Sequence, residues 1–288
     1  FPSGEGLYPD SYREKTTKIM YGIIPCMSNV SYGITTSDTL RDIIRDLELN
    51  PLFVTLTGVH LYGFPSADSD YDLRGAWVLP LRSIIGLQQP DETITRLTTE
   101  RGLLVDIVLH DIGKYMQLMA NANGSILEEV FSPHVLLGEE VVARMRELAQ
   151  GCIVRRLYYH YNGFARSQIA KFRSQEPKRV KTLLYIYRIL MTGIHVLETG
   201  ILESHLPTLN QIFALPFIPR LIAAKVEELS PIEGEDWDIH QQAIDQLQLR
   251  LKRAYRHSSL PSHPRNLAEL EAYLVQLRLM HGAPAAGV

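Results

Sequence analysis

The run Thr57-Gly58-Val59-His60-Leu61-Tyr62-Gly63, followed after a short loop by Ser69-Asp70-Tyr71-Asp72-Leu73-Arg74, constrains this chain more than any other stretch. Ahead of it, Phe53-Val54-Thr55-Leu56-Thr57 is β-branched and aromatic and reads as a strand entering a glycine turn. Behind it, Asp70–Leu79 reads as a second strand, closed by Pro80. On a strand, residues i and i+2 point to one face, so Asp70 and Asp72 share a face. Neighbouring carboxylates repel each other, and a hard divalent cation relieves that repulsion. A glycine turn lets the backbone approach phosphate oxygens and aim its amides at them. The unit therefore predicts metal-assisted phosphoryl chemistry, with Mg²⁺ or Mn²⁺ bridging protein oxygens to a phosphate-bearing substrate.

A third acid completes the pattern. Thr93–Leu97 and Leu103–Leu109 read as two more strands, with Glu100-Arg101-Gly102 as their hairpin turn. Asp106 lies in the middle of the apolar run Leu103–Leu109, where a charge is costly to bury without a partner or a metal. Set beside the Asp70–Asp72 strand, Asp106 would join the same cluster, on the side of the attacking hydroxyl. Asp70, Asp72 and Asp106 are thus the candidate catalytic and metal-binding residues. The competing reading makes the Asp70-x-Asp72 pair, with Ser69, a surface turn bonded to its own backbone. Beside the turn, His60 is a candidate phosphate contact, although a lone histidine is more often a packed polar residue.

Residues 1–36 are rich in turn formers and read as an N-terminal extension, with a short helix near 11–20. Thr36 or Ser37 can cap a helix through Leu40, Ile43, Ile44 and Leu47, ended by Pro51. After Asp111 the period becomes helical: Ile112, Tyr115, Met116 and Met119 share one face. Asn121–Gly124 stops that helix, and Ser125 can cap the next. From 139 onward the pattern is nearly all helix, strongest over 139–150, 152–174, 178–199, 217–229, 237–257 and 265–281. The expected class is α+β, with a mixed domain over 37–150 and a helical domain over 151–288. The cysteines, Cys26 and Cys152, give neither a disulfide framework nor a metal cluster and suit reduced thiols in the cytoplasm. No apolar run reads as a membrane span, so no membrane partner is expected.

Charge is distributed unevenly. The chain carries a formal −3 overall, yet 151–188 holds nine cations, Arg155, Arg156, Arg166, Lys171, Arg173, Lys178, Arg179, Lys181 and Arg188, against the single acid Glu176. Tyrosines and phenylalanines interleave with them. Any one cation reads as a solvated helix face, but the excess of eight favours an anionic ligand nearby. Arg166, Lys171 and Lys178 are candidates for an RNA backbone. Lys181, Tyr185 and Arg188 share a helical face by spacing and are candidates for the triphosphate. Lys114 could support the site or be a surface lysine.

The run Gly58 to Arg74, then Asp106-Ile107-Val108-Leu109-His110-Asp111-Ile112-Gly113-Lys114, resembles the nucleotidyltransferases of the DNA polymerase β superfamily, and within them the RNA-repair-pathway-associated group. The likeness continues through Asn123, Glu128 and Pro133 into His160-Tyr161 and Lys181–Arg188, covering about 38–195. It implies a polymerase-β-like core followed by a helical domain. It implies an NTP substrate, with the NMP passing to an acceptor hydroxyl, an RNA end being favoured. It also implies that Gly58 contacts the triphosphate, with Val59, His60 and Ser69 around it. Asp70 and Asp72 would bind both metals, and Asp106 the catalytic one. The family turn usually reads Gly-Ser, whereas this chain has Val59 in place of the serine. Either the main-chain amide suffices, or His60 or Thr57 substitutes, or phosphate binding is weakened.

Overall fold

The computed structural model describes residues 34–46, 50–87, 90–227 and 237–282. The helix expected near 11–20, and Leu47, lie outside the described residues. Four consecutive buried residues, with no polar face, form β1 (Phe53–Leu56). Such a strand needs neighbours on both edges, and it has them: β2 (Tyr71–Trp77) and the short β5 (Val135–Leu137), both antiparallel to it. β2 runs parallel to β4 (Leu103–Asp111), and β4 is antiparallel to β3 (Thr93–Glu100), which gives the order β3-β4-β2-β1-β5. The β3–β4 hairpin turns on Arg101 and Gly102, with φ of 53° and 81°. Paired positive φ values match the right-handed twist of the flanking strands. β5 has only three residues, too few for a period to emerge from sequence.

The helix expected after Thr36 or Ser37 starts earlier: α1 spans Ile34–Arg45 and takes both residues inside it. Leu40, Ile43 and Ile44 are its buried positions. A five-residue helix, α2 (Gly58–Tyr62), follows β1, and α3 (Leu81–Ile85) follows β2. α4 (Ile112–Ala120) buries Ile112, Tyr115, Met116 and Met119, the face that the spacing predicts. Its cap is Asp111, whose carboxylate accepts from the Gly113 amide at 2.9 Å. α5 (Gly124–Phe131) is capped by Asn123 rather than Ser125: Asn123 Oδ1 accepts from the amides of Ser125 and Ile126.

The rest is helical: α6 (Glu139–Gln150), α7 (Leu157–Ser174), α8 (Val180–Thr199), α9 (Leu206–Phe213), α10 (Ile218–Val226), α11 (Trp237–His257) and α12 (Leu267–His281). α9 is too short for the sequence period to pick out. α8 is long and apolar enough to cross a membrane by length and composition alone. Fifteen of its 20 residues are buried, against α7, α9, α10 and α11, so it is the central core helix. Truncating one of its core positions, such as Leu190→Ala, would cost ~2–5 kcal/mol. A single apolar cluster runs from Phe53 in β1 to Leu277 in α12. α12 is tied down by charge: Arg278 donates to both oxygens of Asp111 at 2.8 and 2.6 Å, and Asp111 also accepts from the Leu79 amide at 3.0 Å.

Candidate active site

The parallel β2–β4 register sets Asp72 directly beside Asp106. Side-chain alternation puts both on one sheet face, and it puts Arg74 on that face too. Arg74 forks between the carboxylates. Its Nη2 donates to Asp72 Oδ1 at 2.6 Å and to Asp106 Oδ2 at 2.8 Å, and its Nη1 donates to the carbonyls of Asp106 at 2.7 Å and Leu73 at 3.0 Å. Asp70 stands one residue before β2 begins, in a loop that Ser69 holds by accepting from the Ser66 amide at 2.9 Å.

The glycine turn packs against this cluster. Thr57 donates from its amide (2.8 Å) and its hydroxyl (3.2 Å) to the carbonyl of Asp72, which fixes the end of β1 against β2. Gly58 follows with φ +62°, and a Cβ there would lie 1.8 Å from Asp72 Oδ2. Only glycine lets this carboxylate lie against the turn backbone. Burial pushes the Asp72 carboxyl up to about 6, with Arg74 opposing and the charges of Asp70 and Asp106 adding; Lys181 opposes more weakly. A crowded acid in that state gains from a bound cation. The donors are all hard oxygens, so in kind they fit Mg²⁺ or Mn²⁺. Among the described residues, no three of His, Cys, Asp or Glu are gathered as a ready ligand set. Arg74 occupies the space between Asp72 and Asp106.

A cavity of about 180 Å³ opens beside the cluster. Thr57, Gly58, Asp72, Arg74, Ser125 and Glu129 form its polar wall, and Tyr62, Phe164 and Tyr185 its aromatic wall. Burial, which favours its neutral form, pushes the Glu129 carboxyl up to about 8, against the opposing pull of Arg74 and of a hydrogen bond with Tyr115. Glu128 also reaches the cavity, but its oxygens are taken. Arg188 Nη1 donates to Oε2 at 2.9 Å, Tyr62 to Oε2 at 3.2 Å and Tyr161 to Oε1 at 3.1 Å.

The residues named from sequence fall into three groups. Asp72, Asp106, Gly58 and Tyr185 meet at the cluster and cavity. Lys181, exposed in the first turn of α8, is close enough for its charge to act on Asp72, as is Asp70. A second group is packed away. Val59 is 1% exposed and belongs to the core. His60 is buried and stacked on Tyr71 with ring centroids 4.5 Å apart, and burial lowers it to about 4. It is neutral at pH 7 and brings no charge to a phosphate.

Arg188 is a correction. The expected triphosphate contact is 1% exposed, paired with Glu128, and sits 3.7 Å from the centroid of the Tyr62 ring. The helical spacing is right, but the face runs inward from exposed Lys181 through half-buried Tyr185 to the core. Lys178 is another correction. Its ammonium donates to the carbonyls of Arg173 and Gln175 and to Glu176, closing the C-terminal end of α7. Lys114 donates to Thr93 Oγ1 at 2.6 Å, which ties α4 to β3. The third group is exposed on α7: Arg166 and Lys171.

Sequence reasoning gave no role to Arg74, Glu129, Phe164 or Tyr62. For Arg74 a signal existed, since it stands i+2 from Asp72 on a strand and must share its face. The other three come from elements whose meeting is set by tertiary packing.

Residues 33–276 match the model of the RNA repair pathway DNA polymerase beta family. The uncharacterized protein MJ0002 of Methanocaldococcus jannaschii is 26% identical over 228 residues, which are 77% of this chain and 91% of that protein. The uncharacterized protein YcgL of Bacillus subtilis is 24% identical over 156 residues, 54% of this chain and 59% of that one. The crystal structure of a nucleotidyltransferase-like protein from Exiguobacterium sibiricum 255-15 overlaps 87% of this chain and 82% of its own, at 11% identity and a TM-score of 0.29. That likeness is distant and bears on neither site nor substrate.

Proposed function

The chain belongs to the RNA repair pathway DNA polymerase beta family, a nucleotidyltransferase-like group, and on that premise we propose that it moves an NMP from an NTP to an acceptor hydroxyl, an RNA end, with release of pyrophosphate. The observation that carries this reading is the in-register pairing of Asp72 with Asp106 beside the Gly58 turn, at the mouth of an aromatic-walled cavity. Asp70, Asp72 and Asp106 would hold Mg²⁺ or Mn²⁺, which when bound supplies Lewis acidity to the phosphates and the acceptor oxygen. Asp106 orients the acceptor hydroxyl. Lys181 offsets phosphate charge from the rim, and the turn at Gly58 brings main chain close to the phosphates. The acceptor hydroxyl passes its proton to Asp106, its oxygen bonds to the α-phosphorus as the bond to the bridging oxygen of the β-phosphate breaks, and pyrophosphate leaves with that electron pair. Tyr62, Phe164 and Tyr185 offer stacking surface to a base. Arg166 and Lys171 on α7 lie free to meet an RNA backbone. In this reading the carboxylate chemistry lies before residue 150, and the part after it adds Lys181, Phe164 and Tyr185 toward the nucleotide and Arg166 and Lys171 toward the acceptor.

Transfer of label from an α-labelled NTP, with Asp72→Ala and Asp106→Ala as controls, tests the reading. Transfer that survives in both variants defeats it. One observation favours a second reading, a catalytically weak nucleotide- or RNA-binding protein. Val59, where the family's serine stands, packs its side chain into the core. That reading predicts nucleotide binding without turnover.

A further inference from the structure

Arg74 stands where the chemistry requires an accessible pair of anions, and its bonds are with that pair. One nitrogen bridges Asp72 Oδ1 and Asp106 Oδ2, the other holds the Asp106 and Leu73 carbonyls, and the side chain is only 17% exposed. The two carboxylates are neighbours across parallel strands, and the guanidinium between them offsets their repulsion. It takes one oxygen of each. A free divalent cation must therefore compete with a tethered cation already in place. Arg74 also lines the cavity, where a guanidinium released from the carboxylates would meet a phosphate with the same forked geometry.

We propose that Arg74 is a resident counter-ion that keeps the Asp72–Asp106 pair closed to free metal and yields it when metal arrives with a phosphate-bearing ligand. The inference rests on the metal-centre reading above. By exchanging one partner for another, Arg74 makes binding of cation and of nucleotide favour each other beyond the direct contact between them.

The test is Mn²⁺ binding to the full chain, read by the loss of the free-ion electron paramagnetic resonance signal, with and without a non-hydrolysable NTP. Arg74→Gln is expected to bind free Mn²⁺ more tightly than wild type, on the order of tenfold. Wild type is expected to gain more Mn²⁺ affinity from the nucleotide than Arg74→Gln does. Arg74→Lys keeps the charge but loses the fork, and is expected to fall between the two; it serves if Arg74→Gln does not fold. A residue that merely braces the strands predicts the opposite, weaker Mn²⁺ binding once it is replaced. Free Mn²⁺ bound no more tightly by either variant overturns the inference while leaving the metal centre standing. No Mn²⁺ bound by wild type or variant, even with nucleotide, removes the metal centre and the inference together.

Discussion

Glu128→Gln isolates the buried ion pair behind the cavity. Arg188 and Glu128 are 1% and 3% exposed at their side chains and 2.9 Å apart, and two tyrosine hydroxyls share the same carboxylate. Neutralising Glu128 leaves the guanidinium buried with no opposing charge. Burial lowers its affinity for a proton, and the Glu128 carboxylate, together with Tyr62, Tyr185 and Tyr161, outweighs this and holds the pKa of Arg188 above its ordinary value. Breaking one side of such a pair costs ~3–5 kcal/mol, whereas replacing both sides by apolar groups is often near neutral. Urea unfolding followed by circular dichroism should show a lower midpoint with an unchanged slope for Glu128→Gln. Most of the loss should return in Glu128→Leu with Arg188→Met. This folded double variant should also bind a non-hydrolysable NTP as wild type does. A Glu128→Gln cost below about 1 kcal/mol would refute the buried-pair reasoning. A double variant of wild-type stability that loses nucleotide affinity would return Arg188 to the phosphate.

Gly58→Ala places a Cβ against Asp72 Oδ2 at φ +62°; we expect ~1–3 kcal/mol of lost stability and loss of labelled transfer, measured on the same preparation. The raised carboxyls give a signed pH dependence. Asp72 is at about 6 against an ordinary 3.8, and Glu129 at about 8 against 4.5. The folded state holds more protons between each pair of values, so stability falls as pH rises through about 4–8. Glu129→Gln should flatten that slope and raise stability at pH 8 by about 4 kcal/mol, read from urea midpoints across pH. A slope unchanged in the variant would sink the assignment. Lys178→Ala should leave RNA affinity within about twofold, whereas Arg166→Ala or Lys171→Ala should each reduce the salt slope of RNA binding by about one.

The strands that carry Asp72 and Asp106 were legible because their signals are local. Phe53–Leu56 carries β-forming residues, Arg101-Gly102 is a hairpin turn by composition, and one register then brings Asp106 to Asp72. The inward face of α4 was equally plain from its period. What sequence could not supply was depth. Lys181, Tyr185 and Arg188 occupy one helical stripe, and nothing local tells which end of it meets solvent and which meets Glu128. The excess charge of 151–188 misled in the same way. Lys178 is spent on α7's own carbonyls and Arg188 on the core, which leaves fewer free cations than counting suggests. The cavity was invisible for a related reason: Tyr62, Glu129, Phe164 and Tyr185 lie far apart in sequence, and only packing gathers them.

The Asp111–Arg278 bond limits where this protein can be cut. Asp111 is 1% exposed, and it ends the strand that carries Asp106. A fragment ending before residue 267, made to obtain the carboxylate half by itself, would strip that anion of its guanidinium and remove the helix packed against α4. The strand that carries Asp106 would then be anchored on an unanswered charge. Domain dissection would report a dead enzyme for reasons unrelated to RNA, and inactivating point variants in the whole chain are the sounder route.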